Sequence, residues 1–339
     1  MNKQVNLLLI LLISVFSYSQ DTSKYTDLFR DEEPLKIKLK YSNKELNKNT
    51  NDSTFIETQM SYEQEGVWKE IDVRLRARGN FRRNTCYWPP VKMKIKKAVS
   101  KGTLFEGNKS LKLVLPCMIE PDKNDNIMKE YMAYKLYEQI SPYHFNARRV
   151  EIEFTEIKRK KEKLHQLKGF LIEDDDIVAD RFEGQVVDRF IHPLAMDAET
   201  SVQNAFFNFL IGNTDISVAY QHNAKLLYIG KRLIPLSYDF DMTGFTNPSY
   251  ATVNETLGIK SVRDRKYRGF KRDGKIIQTV RELYISKKDN LISIVESHET
   301  QFDNKREYKE TIDFLKSFYE IIEDDKQFKA QVLDAARTK

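Results

Sequence analysis

Asp215, Asn223, Asp239 and Asp241 are the residues whose types and spacing most suggest chemistry. They fall between residues 202 and 245, VQNAFFNFLIGNTDISVAYQHNAKLLYIGKRLIPLSYDFDMTGF. That stretch reads as an apolar helix ending in Gly-Asn-Thr-Asp, a loop with His222-Asn223, a strand, a short turn, a second strand, and Asp-Phe-Asp. Asp215 can take a proton from an incoming hydroxyl. Asn223 and Asp239 offer the hard oxygens that Mg²⁺ prefers, and that ion needs only one or two protein carboxylates beside water and phosphate. Asp241, two residues on, is an alternative or second ligand. Each residue alone also suits a plain turn, where short polar side chains bond the backbone. Their grouping around one hairpin is what argues for a site. His222 is either a proton carrier or a structural histidine.

A phosphate-bearing ligand also needs cations. Ile71, Val73, Leu75 and Ala77 alternate with Asp72, Arg74, Arg76 and Arg78, and the strand runs into Arg78-Gly79-Asn80. Glycine there lets backbone amides approach an anion. Val91, Met93 and Ile95 alternate with Lys92, Lys94 and Lys96 in the same way. A sheet with one wet face carries Lys and Arg there without any function. Glu130, near the start of a helix, is a first-turn acid favoured by the helix dipole or a partner for one of these lysines.

These groups must be positioned by the elements around them. Leu35, Ile37 and Leu39 alternate with lysines as a half-buried strand, Thr54 to Tyr62 repeats that character, and residues 43 to 53 read as the loop of a hairpin. Leu111 to Leu115 is a further strand and Ile127 to Ile140 a helix. Val150 to Thr155 and Leu167 to Glu173 form a second hairpin with a basic tip at 158 to 163. The acidic run Glu173 to Asp176 is a solvated stretch or a hinge. Helices follow at Val202 to Ile211, Ile277 to Leu283, Asp289 to Phe302 and Tyr308 to Phe318, and residues 246 to 272 form a long polar segment suited to a lid or a substrate-facing loop. The reading is α+β, with a strand-rich N-terminal lobe (lead-in strands 21–70, then 71–173) and a helix-rich C-terminal lobe (174–339) that carries the hairpin.

The 339 residues are 40% hydrophobic, ample for a sizeable core, and 56 basic against 50 acidic side chains give a net charge of +6. That balance does not call for nucleic acid, though an anionic substrate is compatible. Lys3, the apolar run Leu7 to Phe16 and Ser17-Tyr18-Ser19-Gln20 read as a secretory signal over residues 1–20. The mature chain is then expected to be exported to the periplasm, the cell surface or beyond, with no transmembrane segment. Cys86 and Cys117 are the only cysteines. They suit a disulfide or two buried thiols better than a metal or a nucleophile.

RARGN at 76–80, VKMKIK at 91–96, MKEYMAYKL at 128–136, GFLIE at 169–173, NFLIGNTD at 208–215 with HNAKLLY at 222–228, and IPLSYDFDMTGF at 234–245 occur in an order that resembles the CotH family of atypical, secreted or spore-coat protein kinases. The resemblance covers roughly residues 71 to 245. It implies a two-lobed kinase-like fold in which Arg78, Gly79 and Asn80 approach the phosphates of ATP. One of Lys92, Lys94 and Lys96, with Lys94 preferred, holds those phosphates and pairs with Glu130, and Glu173 lies beside the adenine. It makes Asp215 the acid-base residue, Asn223 a ligand of Mg²⁺ or Mn²⁺, and Asp239 the principal ligand. The implied activity is phosphate transfer from ATP to a protein or another hydroxyl acceptor. A degenerate, non-catalytic relative binding anionic envelope polymers and a metal-dependent hydrolase using Asp239 and Asp241 are the competing readings.

Overall fold

The computed structural model describes residues 22–79, 81–119 and 124–338. The expected signal segment and Asn80 lie outside the described residues. Alternation of apolar and charged side chains produces the first seven strands: β1 (Leu35–Tyr41), β2 (Ile56–Gln64), β3 (Val67–Ala77), β4 (Val91–Lys94), β5 (Ser110–Val114), β6 (Ala147–Lys158) and β7 (Lys161–Ile172). They close into a barrel in the order β1-β2-β3-β4-β5-β7-β6, with β6 returning to pair with β1. The closing pair is parallel, Leu35 opposite Val150 through Tyr41 opposite Glu156. Ile37, Leu39, Met60, Ile71, Val73 and Leu75 fill the interior, and their charged neighbours face outward.

The expected two-lobed kinase-like fold is therefore corrected. Instead of a strand-rich lobe set against a helix-rich one, the chain forms a closed seven-stranded barrel beside a separate sheet and a set of helices, a mixed α+β architecture. Period-two alternation identifies strands but says nothing of which edges meet. Here the edges of β1 and β6 join residues more than a hundred positions apart, so no edge is left open. The segment read as a hairpin loop at 43 to 53 instead holds a helix, Asn43–Asn49, whose first turn is capped by Ser42 accepting from the amide of Glu45.

Short helices α1 (Asp27–Arg30), α2 (Asn43–Asn49), α3 (Phe81–Thr85) and α4 (Lys97–Ser100) decorate the barrel, and α5 (Asn124–Ile140) connects β5 to β6. After β7 come α6 (Asp175–Arg181), β8 (Gln185–Val187), α7 (Ala198–Leu210), and the hairpin of β9 (Ala224–Ile229) and β10 (Arg232–Ser237), which with β8 makes a three-stranded sheet. Helices α8 (Gly274–Ser286), α9 (Lys288–Glu296), α10 (Lys305–Ile322) and α11 (Asp325–Phe328) complete the chain. A second core joins α5, α7, the hairpin and these last helices around Tyr137, Phe206, Phe207, Phe240 and Phe318. Cys86 and Cys117 are joined, tying α3 to the chain just beyond β5. No helix among the described residues is long and apolar enough to cross a membrane.

Candidate active site

Two groups of polar side chains meet at the hairpin ends. The first is Asp215 with His222 and Asn223. His222 Nε2 lies 3.0 Å from one Asp215 carboxylate oxygen, and Asn223 Nδ2 donates to the other at 3.1 Å and to the Asp215 carbonyl at 2.7 Å. Asp215 is exposed, so its carboxylate is oriented by two neighbours while open to solvent. Helix α7, capped by Asp197, delivers this loop, and the amides of Gly244 and Phe245 bond the carbonyls of Gly212 and Ile211. A side chain on Gly244 would meet the carbonyl oxygen of Val262 at 2.7 Å, so only glycine permits this close approach.

The second group surrounds Asp239 and Asp241. The amide of Tyr238 bonds the carbonyl of Asn223, which sets Asn223 beside the start of Asp-Phe-Asp. Asn223 and Asp239 both have left-handed backbone, φ +52° and +65°, an arrangement that costs energy in non-glycine residues and collects at functional sites. Asp239 lies 3.9 Å from Arg78, and its amide donates to the Tyr134 hydroxyl at 2.9 Å. Buried Arg82 sits between two acids, 3.3 Å from Glu130 and 3.5 Å from Asp241. Burial, above all, raises the Glu130 carboxyl to about 8 and that of Asp241 to about 6, with the mutual repulsion of these acids and Asp239 adding to it against the pull of Arg82. With Glu130 protonated below about 8, the carboxylates of Asp239 and Asp241 face the guanidinium groups of Arg78 and Arg82.

A row of cations crosses the outer face of the barrel, where Arg76 on β3 is opposite Lys92 on β4 and Lys92 is opposite Lys112 on β5. Like charges directly opposite repel. The acidic run at the start of α6 answers them: Lys92 lies 3.6 Å from Asp174, Lys112 lies 3.7 Å from Asp175, and Lys225 of β9 reaches Asp175 at 3.3 Å. The Lys112 ammonium sits over the rings of Phe145 and Tyr238 at 4.6 and 4.9 Å, and burial pulls it down to about 8. Burial opposes ionisation of Asp175, but Lys112 and Lys225 hold it down at about 2.

Several pairs that tie distant segments together are at hydrogen-bond length, such as Lys129–Glu307 at 2.6 Å, Arg281–Asp325 at 2.7 Å and Lys168–Asp303 at 2.7 Å. Those facing each other here run from 3.3 to 3.9 Å. Among the described residues, the buried ammonium or carboxylate atoms that make no hydrogen bond are Lys112 Nζ, Asp174 Oδ2 and Asp241 Oδ2, and all three lie here. An unsatisfied buried charge of this kind costs roughly 1–3 kcal/mol.

The remaining sequence-stated residues fall elsewhere or play other parts. Gly79 is exposed and left-handed at φ +77° just past β3. Lys94 lies over Phe55 at 5.2 Å with Arg74 and Arg76 on the same ring, rather than facing Glu130; Glu130 pairs with Arg82. Glu173 is buried, with its carboxylate accepting from the amide of Asn146 at 2.6 Å and from Arg181, so it clamps the end of β7 to β6 and α6. Arg82, Lys112, Lys225 and Tyr250, whose buried hydroxyl lies near Arg82, were not singled out from sequence, and Asp174 and Asp175 entered only within the acidic run read as a solvated stretch or a hinge. Lys112 did leave a signal, a lone cation inside the apolar run Leu111 to Leu115.

Groups of three or more His, Cys, Asp or Glu placed to hold a metal by themselves are absent among the described residues. The donors nonetheless suit a phosphate-bridged divalent ion, which needs few protein ligands. Asp241 presents a buried carboxylate oxygen that takes no hydrogen bond. No family model matches the chain, and comparison with curated proteins finds no match.

Proposed function

We propose that this chain is a metal-dependent phosphotransferase that moves a phosphoryl group from ATP to a hydroxyl on a protein or an envelope polymer, acting outside the cytoplasm. The observation that carries the reading is the set of charges facing each other at 3.3 to 3.9 Å, among which buried Lys112, Asp174 and Asp241 atoms lack hydrogen bonds. A polyphosphate entering between them would take hydrogen bonds from Arg78, Lys92 and Lys112, while Asp239, Asp241 and Asn223 would hold Mg²⁺ or Mn²⁺. The bound ion would neutralise phosphate charge and fix its geometry. Asp215, oriented by His222 and Asn223, would accept the acceptor's proton. Few groups suffice, since phosphoryl transfer rests on positioning and electrostatics. The motif order that resembles the CotH family supports the same chemistry.

Thermal unfolding with ATP and Mg²⁺, together with transfer of label from ATP, tests the reading. The chain should be stabilised by the two together, and Asp239→Ala should lose that shift. A shift unchanged in the variant overturns the assignment of Asp239.

One observation favours a second reading, a non-catalytic binder of anionic polymers: Arg82 already supplies a cation between Glu130 and Asp241. That reading expects salt-sensitive polymer binding that survives both Asp215→Ala and Asp239→Ala.

A further inference from the structure

A cavity of about 220 Å³ opens beside α7, between the loop that carries Asp215 and the segment 266–272. Val202, Ala205 and Phe209 of α7 wall it with Ile216 and Pro235. Its size exceeds the roughly 150 Å³ at which an apolar cavity admits benzene. Phe190 and Tyr220 also line it, their rings tilted against each other with centroids 5.2 Å apart, and they are 56% and 78% exposed. Exposed aromatic rings continuous with an apolar cavity mark a binding surface more than a packing defect.

The charge of the lining selects the ligand. Lys266, Arg268, Arg272 and Arg337 all line this cavity, and no aspartate or glutamate does. Arg268 donates to the carbonyl of Thr214, and Arg272 to those of Pro193, Leu194 and Met196. Neutral carbonyls take the hydrogen bonds of these two side chains, and the acids that act on them, Asp215 on Arg268 and Asp197 on Arg272, stand outside the lining. Arg337 stacks over Phe270 at 4.4 Å, and Lys266 is exposed. Buried Tyr267 and half-buried Ser201 line the same space with hydroxyls that make no hydrogen bond.

We propose that this cavity binds an amphipathic anion, with a hydrocarbon or aromatic body inside and an acidic head at the basic residues. The site is separate from the phosphotransfer reading and does not depend on it. The head can belong to a free amphiphile or to a lipid.

The probe is 1-anilinonaphthalene-8-sulfonate, followed by fluorescence on the full chain. Decanoate should displace it, whereas decyltrimethylammonium, with the same chain and opposite charge, should not. Ala205→Trp fills the cavity and should weaken the probe's affinity by on the order of tenfold or more. Should that variant unfold by circular dichroism, Ala219→Trp fills the cavity from a half-buried wall position and takes its place. The double change Lys266→Glu and Arg337→Glu should reverse the preference between the two competitors. Co-sedimentation with phosphatidylglycerol vesicles, lost in the same double variant, would assign the head to a lipid; displacement by decanoate without vesicle binding would assign it to a free amphiphile. Unchanged probe binding in the filled variant, or equal competition by the cation, overturns the proposal.

Discussion

Lys112→Met should make the protein more stable while removing its affinity for ATP. Burial lowers the Lys112 ammonium from 10.5 to about 8 despite the help of Asp175, and its nitrogen makes no hydrogen bond. A depression of that size corresponds to roughly 3 kcal/mol of destabilisation at neutral pH. Removing the charge leaves Asp175 with Lys225 at 3.3 Å, so part of the gain is lost to a weakened pair. Methionine keeps the reach of the side chain and can pack its sulfur on Phe145 and Tyr238. The net expectation is a gain of about 1–2 kcal/mol, or roughly 1–3 °C in melting temperature for a chain of this length. The pH dependence has a definite sign. Below about 8 the ammonium is charged in both folded and unfolded chains and the penalty is complete; between about 8 and 10.5 the folded chain sheds its proton first and the penalty disappears. The advantage of the variant should therefore be largest at pH 7 and shrink toward pH 10.5. Denaturant unfolding at pH 7, 9 and 10.5, with ATP–Mg²⁺ shifts measured alongside, checks both halves. A variant less stable than the parent at pH 7, or an advantage that grows with pH, refutes the account of Lys112 as a strained cation kept for an anion.

Asp215→Ala should lower turnover by roughly 10²- to 10⁴-fold and leave ATP binding intact, as single-turnover kinetics and equilibrium binding would separate. Glu130 is held protonated to about 8 in the folded chain, chiefly by burial, so without divalent ions stability should fall as pH rises from about 4.5 toward 8; Glu130→Gln should flatten that slope in denaturant titrations. Cys86→Ser opens a link between residues 31 positions apart, and the chain-entropy model expects a loss of about 3–4 kcal/mol, read from the denaturant midpoint.

Much of this site was legible where chemistry is local. Asp215, Asn223 and Asp239 could be singled out because turns and strand ends advertise themselves: Gly212 ends a helix, a two-residue turn joins β9 to β10, and acids stand at the hairpin's limits. The strands were legible through their alternation as well. What sequence could not supply was register between distant segments. Lys92, Lys94 and Lys96 share one periodicity, and only pairing across three strands sets Lys92 in line with Arg76 and Lys112 while Lys94 goes to Phe55. Closure of the barrel escaped for the same reason, since the contact of β1 with β6 leaves no local trace in either strand.

Arg82 shows the limit most sharply. It stands in FRRNTCYWPP, a stretch with no period to read, and its burial follows from three remote constraints: the Cys86–Cys117 link, the carbonyl of Leu115, and the acids Glu130 and Asp241. Each of those groups taken alone is unremarkable in sequence. Together they place a guanidinium where a simple lysine–glutamate pairing had been expected, and they turn the question at this site from which lysine meets Glu130 to what satisfies Lys112 once Arg82 has taken that acid. Lys112 faces Asp175 without a hydrogen bond, beside Lys92 and across from Asp174, so the charge left over on the barrel face is the part of the site that an anion would complete.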